Sequence, residues 1–161
     1  MDIVIETPKG SREKYKYDQE HRMFRLLKVL PSGLVFPFDF GFIPNTTGDD
    51  GDPLDVMVIS EFKGFPGCVI DCRIIGCIQV EQGDEEKMIR NDRFLAVPEV
   101  SALYENVLNI SDLPSTIITE LESFFYTYIG QEGKKIKMIG NLSSSQAMSA
   151  INLKESVLTG L

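Results

Sequence analysis

The sequence predicts an α+β fold that is mainly β, a small closed barrel flanked by C-terminal helices. Three observations carry this. Many short strand-like runs follow one another at close spacing. Helical periodicity comes only late, in two segments after residue 110. Between them, the long run Cys68 to Val80 is apolar on both faces in places, as a strand inside a closed barrel would be. A chain of 161 residues that is 43% hydrophobic can bury one sizeable core, and it has no repeat, low-complexity tract or linker. Residues 1–161 are therefore expected to form a single domain.

In order, Ile3-Val4-Ile5 reads as a short strand ending at Glu6, and Pro8 to Ser11 as a loop. Lys14-Tyr15-Lys16-Tyr17 alternates, so both lysines share one face and both tyrosines the other. Phe24 to Val29 is another strand, closed by the turn Pro31-Ser32-Gly33. Phe36, Phe38, Phe40 and Phe42 are spaced by two, as rings packed into a core would be. The strand Val56 to Ile59, the turn Lys63 to Gly67 and the long run from Cys68 follow. Val80 to Asp92 is a hairpin with a charged loop, returning through Arg93 to Val97 until Pro98 ends the strand. Ser111 or Asp112 is placed to cap a helix whose apolar face is Leu113, Ile117, Leu121, Phe124, Phe125 and Tyr128. Ile136 to Ile139 is a last strand. Ser143 with Gln146 forms a capping box for a terminal helix running to Val157.

The most informative stretch is Gly48-Asp49-Asp50-Gly51-Asp52-Pro53-Leu54-Asp55. Gly51 permits torsions that a side chain forbids, and Pro53 holds Asp52 extended. Asp50, Asp52 and Asp55 thus belong to a fixed turn feeding a strand. Hard cations seek several carboxylate oxygens at one point. A helix–loop–helix calcium loop does not fit, because Leu54 stands at the third ligand place, Asp55 at the glycine place, and a strand follows.

Composition narrows the classes. The net charge is −8, and no basic patch is visible for nucleic acid or an anionic membrane surface. No apolar stretch is long enough to span a bilayer, and no basic segment precedes an apolar run at the N-terminus. A cytoplasmic protein is expected. Cys68, Cys72 and Cys77 read as reduced core thiols, and with His21 far away they make a poor zinc site.

The stretch Asp-Gly-Asp-Pro-Leu-Asp with its hydrophobic strand resembles the signature of the soluble, barrel-type (family I) inorganic pyrophosphatases. The likeness extends to Val4 to Pro8, Lys14-Tyr15, Phe36 to Ile43, Ala96-Val97-Pro98 and Phe124 to Tyr128. The resemblance implies a five-stranded closed barrel like the oligonucleotide-binding fold, Mg²⁺ as cofactor, pyrophosphate as substrate and a homo-oligomer, hexameric in bacterial members. Divalent metal suits this reaction because it bridges phosphate oxygens and makes a bound water more acidic. By resemblance Asp50 and Asp55 ligate metal, Asp52 touches it and acts as base, and Glu6 is an outer acid of the cluster. Lys14, Lys28, Arg93 and Tyr128 fall where the family binds phosphate.

Several positions depart from the family pattern, and they gather at the site. Its metal-bridging aspartate falls on Asn91; Asp92 is adjacent, but one residue along a strand faces the opposite way unless a bulge intervenes. Another hairpin acid falls among Glu81, Asp84, Glu85 and Glu86, of which Asp84 is taken as the metal candidate. Arginine replaces lysine at Arg93, lysine replaces arginine at Lys28 and glutamate at Lys16, Phe36 and Phe40 lack two tyrosine hydroxyls, and Ile129 replaces a lysine. Mg²⁺-dependent hydrolysis, weakened by these changes, is the expectation. The alternative is a diverged member that binds a phosphorylated ligand or a protein with little hydrolysis. Asp55→Asn is expected to stop hydrolysis with the fold intact.

Overall fold

The first apolar run becomes β1 (Asp2–Thr7) in the computed structural model, which describes residues 1–155, and Ile3 and Ile5 are fully buried. β1 pairs antiparallel with β4 (Asp39–Phe42), and β4 with β5 (Asp55–Val58). Gly41 makes the first pairing possible, since a Cβ there would stand 2.1 Å from the Val4 carbonyl oxygen. β5 then runs parallel to β8 (Arg93–Pro98), which pairs antiparallel with β6 (Val69–Gly83). β6 pairs in turn with β1, so the path of pairings returns to the strand on which it began. β7 (Met88–Arg90) and β9 (Lys135–Ser143) both add to β6.

β6 is apolar on both faces because each face meets a different core. Ile75, Ile78 and Val80 pack with Phe36, Phe40, Leu95 and the late helix, while Ile74 and Cys77 pack with Ile5, Val58, Phe94 and Ile151. The phenylalanine series is core, as its spacing predicts: Phe36, Phe38, Phe40 and Phe42 are all buried. Cys68, Cys72 and Cys77 are free thiols, the last two buried, and burial pushes the Cys72 thiol up to about 12.

The first helix begins later than its sequence pattern suggests. Asn109 caps a 3₁₀ turn at Ile110–Asp112, with Asp112 closing the capping box rather than starting the helix. α1 (Ser115–Gly130) follows Pro114, which has no side-chain cap, and buries Leu121, Phe124, Phe125, Tyr128 and Ile129. α2 (Ser144–Asn152) opens on the expected Ser143–Gln146 box. It ends five residues before Val157, which lies outside the described residues.

One element stands apart from the main sheet. β2 (Glu13–Asp18) and β3 (Met23–Val29) form a separate two-stranded sheet. It is fastened to β1 by the Tyr17 N–H on Glu6 (2.8 Å) and the Tyr15 N–H on Thr7 Oγ1 (3.1 Å), and to β4 by the Tyr17 ring stacked on Phe42. This sheet and the β5–β8 edge face each other across a cleft of about 850 Å³.

Candidate active site

The acidic stretch is a closed turn between β4 and β5. Buried Thr46 donates to the Ile43 carbonyl and accepts from the Leu54 N–H (3.0 Å), while the Gly48 N–H reaches the Asp52 carbonyl at 2.7 Å. Gly51 has φ +87°, a conformation in which a side chain would be strained. The turn is also strapped from the C-terminal side: the Thr47 N–H bonds the Lys154 carbonyl, and the Lys154 ammonium pairs with Asp49. Asp50, Asp52 and Asp55 all border the cleft, and Asp55 is the first residue of β5. A fixed turn feeding a strand is what the sequence predicts.

Two of these acids are already neutralised by the chain. The parallel β5–β8 register sets Asp55 beside Arg93, each the first residue of its strand, and the guanidinium donates to the Asp55 carboxylate. Arg93 is 3% exposed, also donates to Gln82 Oε1 at 2.9 Å, and lies over the Phe125 ring. Burial pulls its pKa down to about 10, which leaves it charged at neutral pH. Its Nε has no partner among the described residues. On the other wall the Lys16 ammonium reaches Asp52 at 2.7 Å. Asp50 makes no ion pair among the described residues; its Oδ1 accepts the Asp52 N–H at 3.1 Å.

The cations expected to hold phosphate divide in two. Lys14 donates to the Tyr128 hydroxyl at 2.5 Å beneath the Phe40 ring, and both Lys14 and Tyr128 border the cleft. Burial pulls the Lys14 ammonium down to about 8, with Arg93 acting in the same direction. Burial likewise raises Tyr128. Lys28, beside Lys14 across the β2–β3 pair, pairs with Glu132 and lies 4.4 Å from the Tyr128 ring centroid; both of these partners border the cleft. Glu6 is buried at the cleft floor, where loss of water raises its pKa against the Tyr17 N–H and the two lysines that lower it.

The hairpin acids differ in position. Asp84 is exposed on the cleft rim, and its Oδ1 accepts the N–H groups of Glu86 (2.9 Å) and Lys87 (2.8 Å), so it also shapes its own turn. Asn91 borders the cleft, whereas Asp92 faces a small pocket behind the acidic turn. No bulge rescues Asp92. Glu81 faces Arg90 and Ile78 faces Arg93, so the count is continuous across the gap, and the Asp92 carboxylate accepts the Val80 N–H at 3.0 Å. Gln82 and Glu132 are missed by the sequence reading. Glu132 lies four residues past Tyr128, one helical turn, which is the signal that could have found it.

Carboxylate oxygens are the donors a hard divalent ion takes, and Asp50, Asp52, Asp55 and Glu6 supply them from one cleft, so the donor set fits Mg²⁺. Among the described residues no three His, Cys, Asp or Glu side chains converge on one point, and Lys16 and Arg93 pair with two of the acids. The cleft can therefore take a small polyanion against Lys14 and Tyr128, with acids opposite to hold metal.

Residues 3–156 match the inorganic pyrophosphatase family. The inorganic pyrophosphatase of Halalkalibacterium halodurans is 38% identical over 94% of this chain and 90% of its own. That of Synechocystis is 41% identical over 87% of this chain and 80% of its own. Among solved structures, the inorganic pyrophosphatase of Thermus thermophilus superposes with a TM-score of 0.85 at 31% identity, covering 94% of this chain and 87% of its own. That of Helicobacter pylori superposes with a TM-score of 0.90 at 28% identity, covering 99% and 94%.

Proposed function

The chain belongs to the inorganic pyrophosphatase family and hydrolyses pyrophosphate to two phosphates, and we propose that the cleft between the acidic turn and the β2–β3 sheet is where it does so. The observation that supports this most is convergence. Residues far apart in the chain, Lys14, Asp52, Asp55 and Tyr128, meet at one cleft that has acids on one wall and a buried ammonium on the other. Asp50, Asp52 and Asp55 would hold Mg²⁺, with Glu6 in an outer position and Asp84 reaching in from the rim. Bound there, the metal would supply Lewis acidity toward the phosphate oxygens and a more acidic attacking water.

The chain's own residues do the rest. Lys14, steadied by Tyr128, binds one phosphate as a point charge in a half-buried site where that charge is poorly screened. Arg93 holds Asp55 in line, and Lys28 supports the Tyr128 ring. Asp52 takes a proton from the attacking water as its oxygen bonds to one phosphorus. The bond from that phosphorus to the bridging oxygen breaks, and the second phosphate leaves with that oxygen. To act as base, Asp52 must first part from Lys16. Phosphate release from pyrophosphate, measured with Mg²⁺ and then with EDTA for wild type and Asp50→Asn, tests the assignment. Release that stops with EDTA and collapses in the variant is expected; an undiminished variant would remove the turn from the mechanism.

The same reading takes the ring of pairings β1-β4-β5-β8-β6 as a closed five-stranded barrel of the oligonucleotide-binding type, within one domain over residues 1–161. The span of the family match, residues 3–156, supports a single domain. Among the described residues no helix is long and apolar enough to cross a membrane. Free thiols suit a reducing cytoplasm, and family likeness supports a homo-oligomer, hexameric in the bacterial pattern.

A further inference from the structure

Lys16 and Arg93 neutralise neighbouring acids of one turn, yet the two pairs differ in kind. The Arg93–Asp55 pair is buried at a fixed strand register, and the guanidinium is held a second time by Gln82. The Lys16–Asp52 pair is open to water: its side chains are 42% and 52% exposed, and Asp52 is the lysine's one hydrogen-bond partner among the described residues. It also joins separate elements, since Lys16 comes from the β2–β3 sheet and Asp52 from the turn. One cation is built in, and the other can leave.

We propose that Lys16 is a resident counter-cation on Asp52 that a divalent metal must displace to enter the acidic turn, so that this lysine sets the affinity of the turn for metal. The inference rests on the assignment of Asp50, Asp52 and Asp55 as the metal-holding acids. An ammonium 2.7 Å from Asp52 Oδ2 takes up one of that carboxylate's oxygens and would stand within a few ångströms of any metal bound to it. Two cations packed at that range repel each other unless something negative lies between them. Metal entry therefore swings Lys16 out into the cleft, where an anion can take it. Metal and pyrophosphate thus favour one another through the same side chain, the metal by freeing the ammonium and the anion by drawing it off Asp52. Lys16 is a positioning and affinity-setting residue in this scheme rather than a catalytic one.

The test is a binding isotherm for Mn²⁺ alone, without substrate, with free ion read by electron paramagnetic resonance. Lys16→Gln should bind Mn²⁺ about two- to fivefold tighter than wild type, a modest gain because an exposed pair is weak. Lys16→Arg, which keeps the charge, should follow the wild-type curve, and Asp50→Asn should bind far more weakly. Circular dichroism confirms that each variant folds. Unchanged or weaker binding by Lys16→Gln, with Asp50→Asn still impaired, would overturn this inference and leave the metal assignment standing. A wild-type isotherm from Asp50→Asn would overturn both.

Discussion

The two walls of the cleft are built on opposite principles. The acid wall belongs to the main sheet: Val56, Met57 and Val58 behind Asp55 are fully buried, and the turn before it is closed by Thr46 and strapped by Lys154. The cation wall is a two-stranded sheet whose Met23, Leu26, Leu27 and Val29 are exposed. None of that sheet's residues is fully buried, and it is tied to the rest of the chain through Glu6, Thr7, Phe42 and Tyr128. The carboxylates thus sit on the main sheet and its closed turn, whereas Lys14 and Lys16 come from the smaller, more exposed sheet. Substitutions on the acid wall should then disturb rate and stability, and those on the cation wall should disturb affinity.

The largest effect should come from Asp52→Asn. A positioned base contributes ~10²–10⁴-fold, so kcat should fall by that range with KM little changed. If KM rises while kcat survives, Asp52 binds rather than reacts, and the division between the walls fails.

Next comes Asp55→Asn, for which the Arg93–Asp55 pair adds a stability cost to the expected loss of hydrolysis. Removing the carboxylate leaves Arg93 buried without its charge partner, and breaking such a pair costs about 3–5 kcal/mol. Asp55 is 20% exposed, so the lower end, about 3 kcal/mol, is expected beside the loss of hydrolysis. Urea unfolding measures it. A midpoint equal to wild type would show that the Arg93–Asp55 pair does not stabilise the acid wall.

A smaller effect sharpens the cation side. Lys14 loses its proton near pH 8, below the lysine value of 10.5, because its charge is buried. Below pH 8 the buried ammonium costs stability, and that cost fades as pH rises from about 8 through 10.5. Over the same range the charge that binds phosphate disappears. KM for pyrophosphate should therefore rise several-fold above about pH 8 while thermal stability does not fall on Lys14's account. Lys14→Arg, which stays charged, should flatten the KM profile; a profile as steep as that of wild type would assign it to another group.

Legibility in the sequence follows the same division. The turn, the phenylalanine series and the Ser143–Gln146 box are local patterns, and local geometry decides them. The start of α1 was misjudged because Asp112 closes a box on Asn109, and two nearby capping signals look alike in sequence. Arg93 against Asp55 was invisible because it depends on the parallel register of β5 and β8, strands separated by the whole of β6 and β7. Reading both residues as polar site groups could not reveal that they meet. The Lys28–Glu132 pair is equally illegible, because it joins β3 to a residue just past the end of α1, 104 positions along the chain.

Metal is expected to enter the acidic turn by exchanging with the chain's own cation there, Lys16 on Asp52. Crystals grown with Mn²⁺ and a non-hydrolysable pyrophosphate analogue, with the ion located by anomalous scattering, test it most directly. Mn²⁺ is expected on Asp50, Asp52 and Asp55, with the analogue against Lys14 and Lys16 turned away from Asp52 toward the anion. Mn²⁺ seated elsewhere in the cleft, with the Lys16–Asp52 pair still closed at about 2.7 Å, would contradict it.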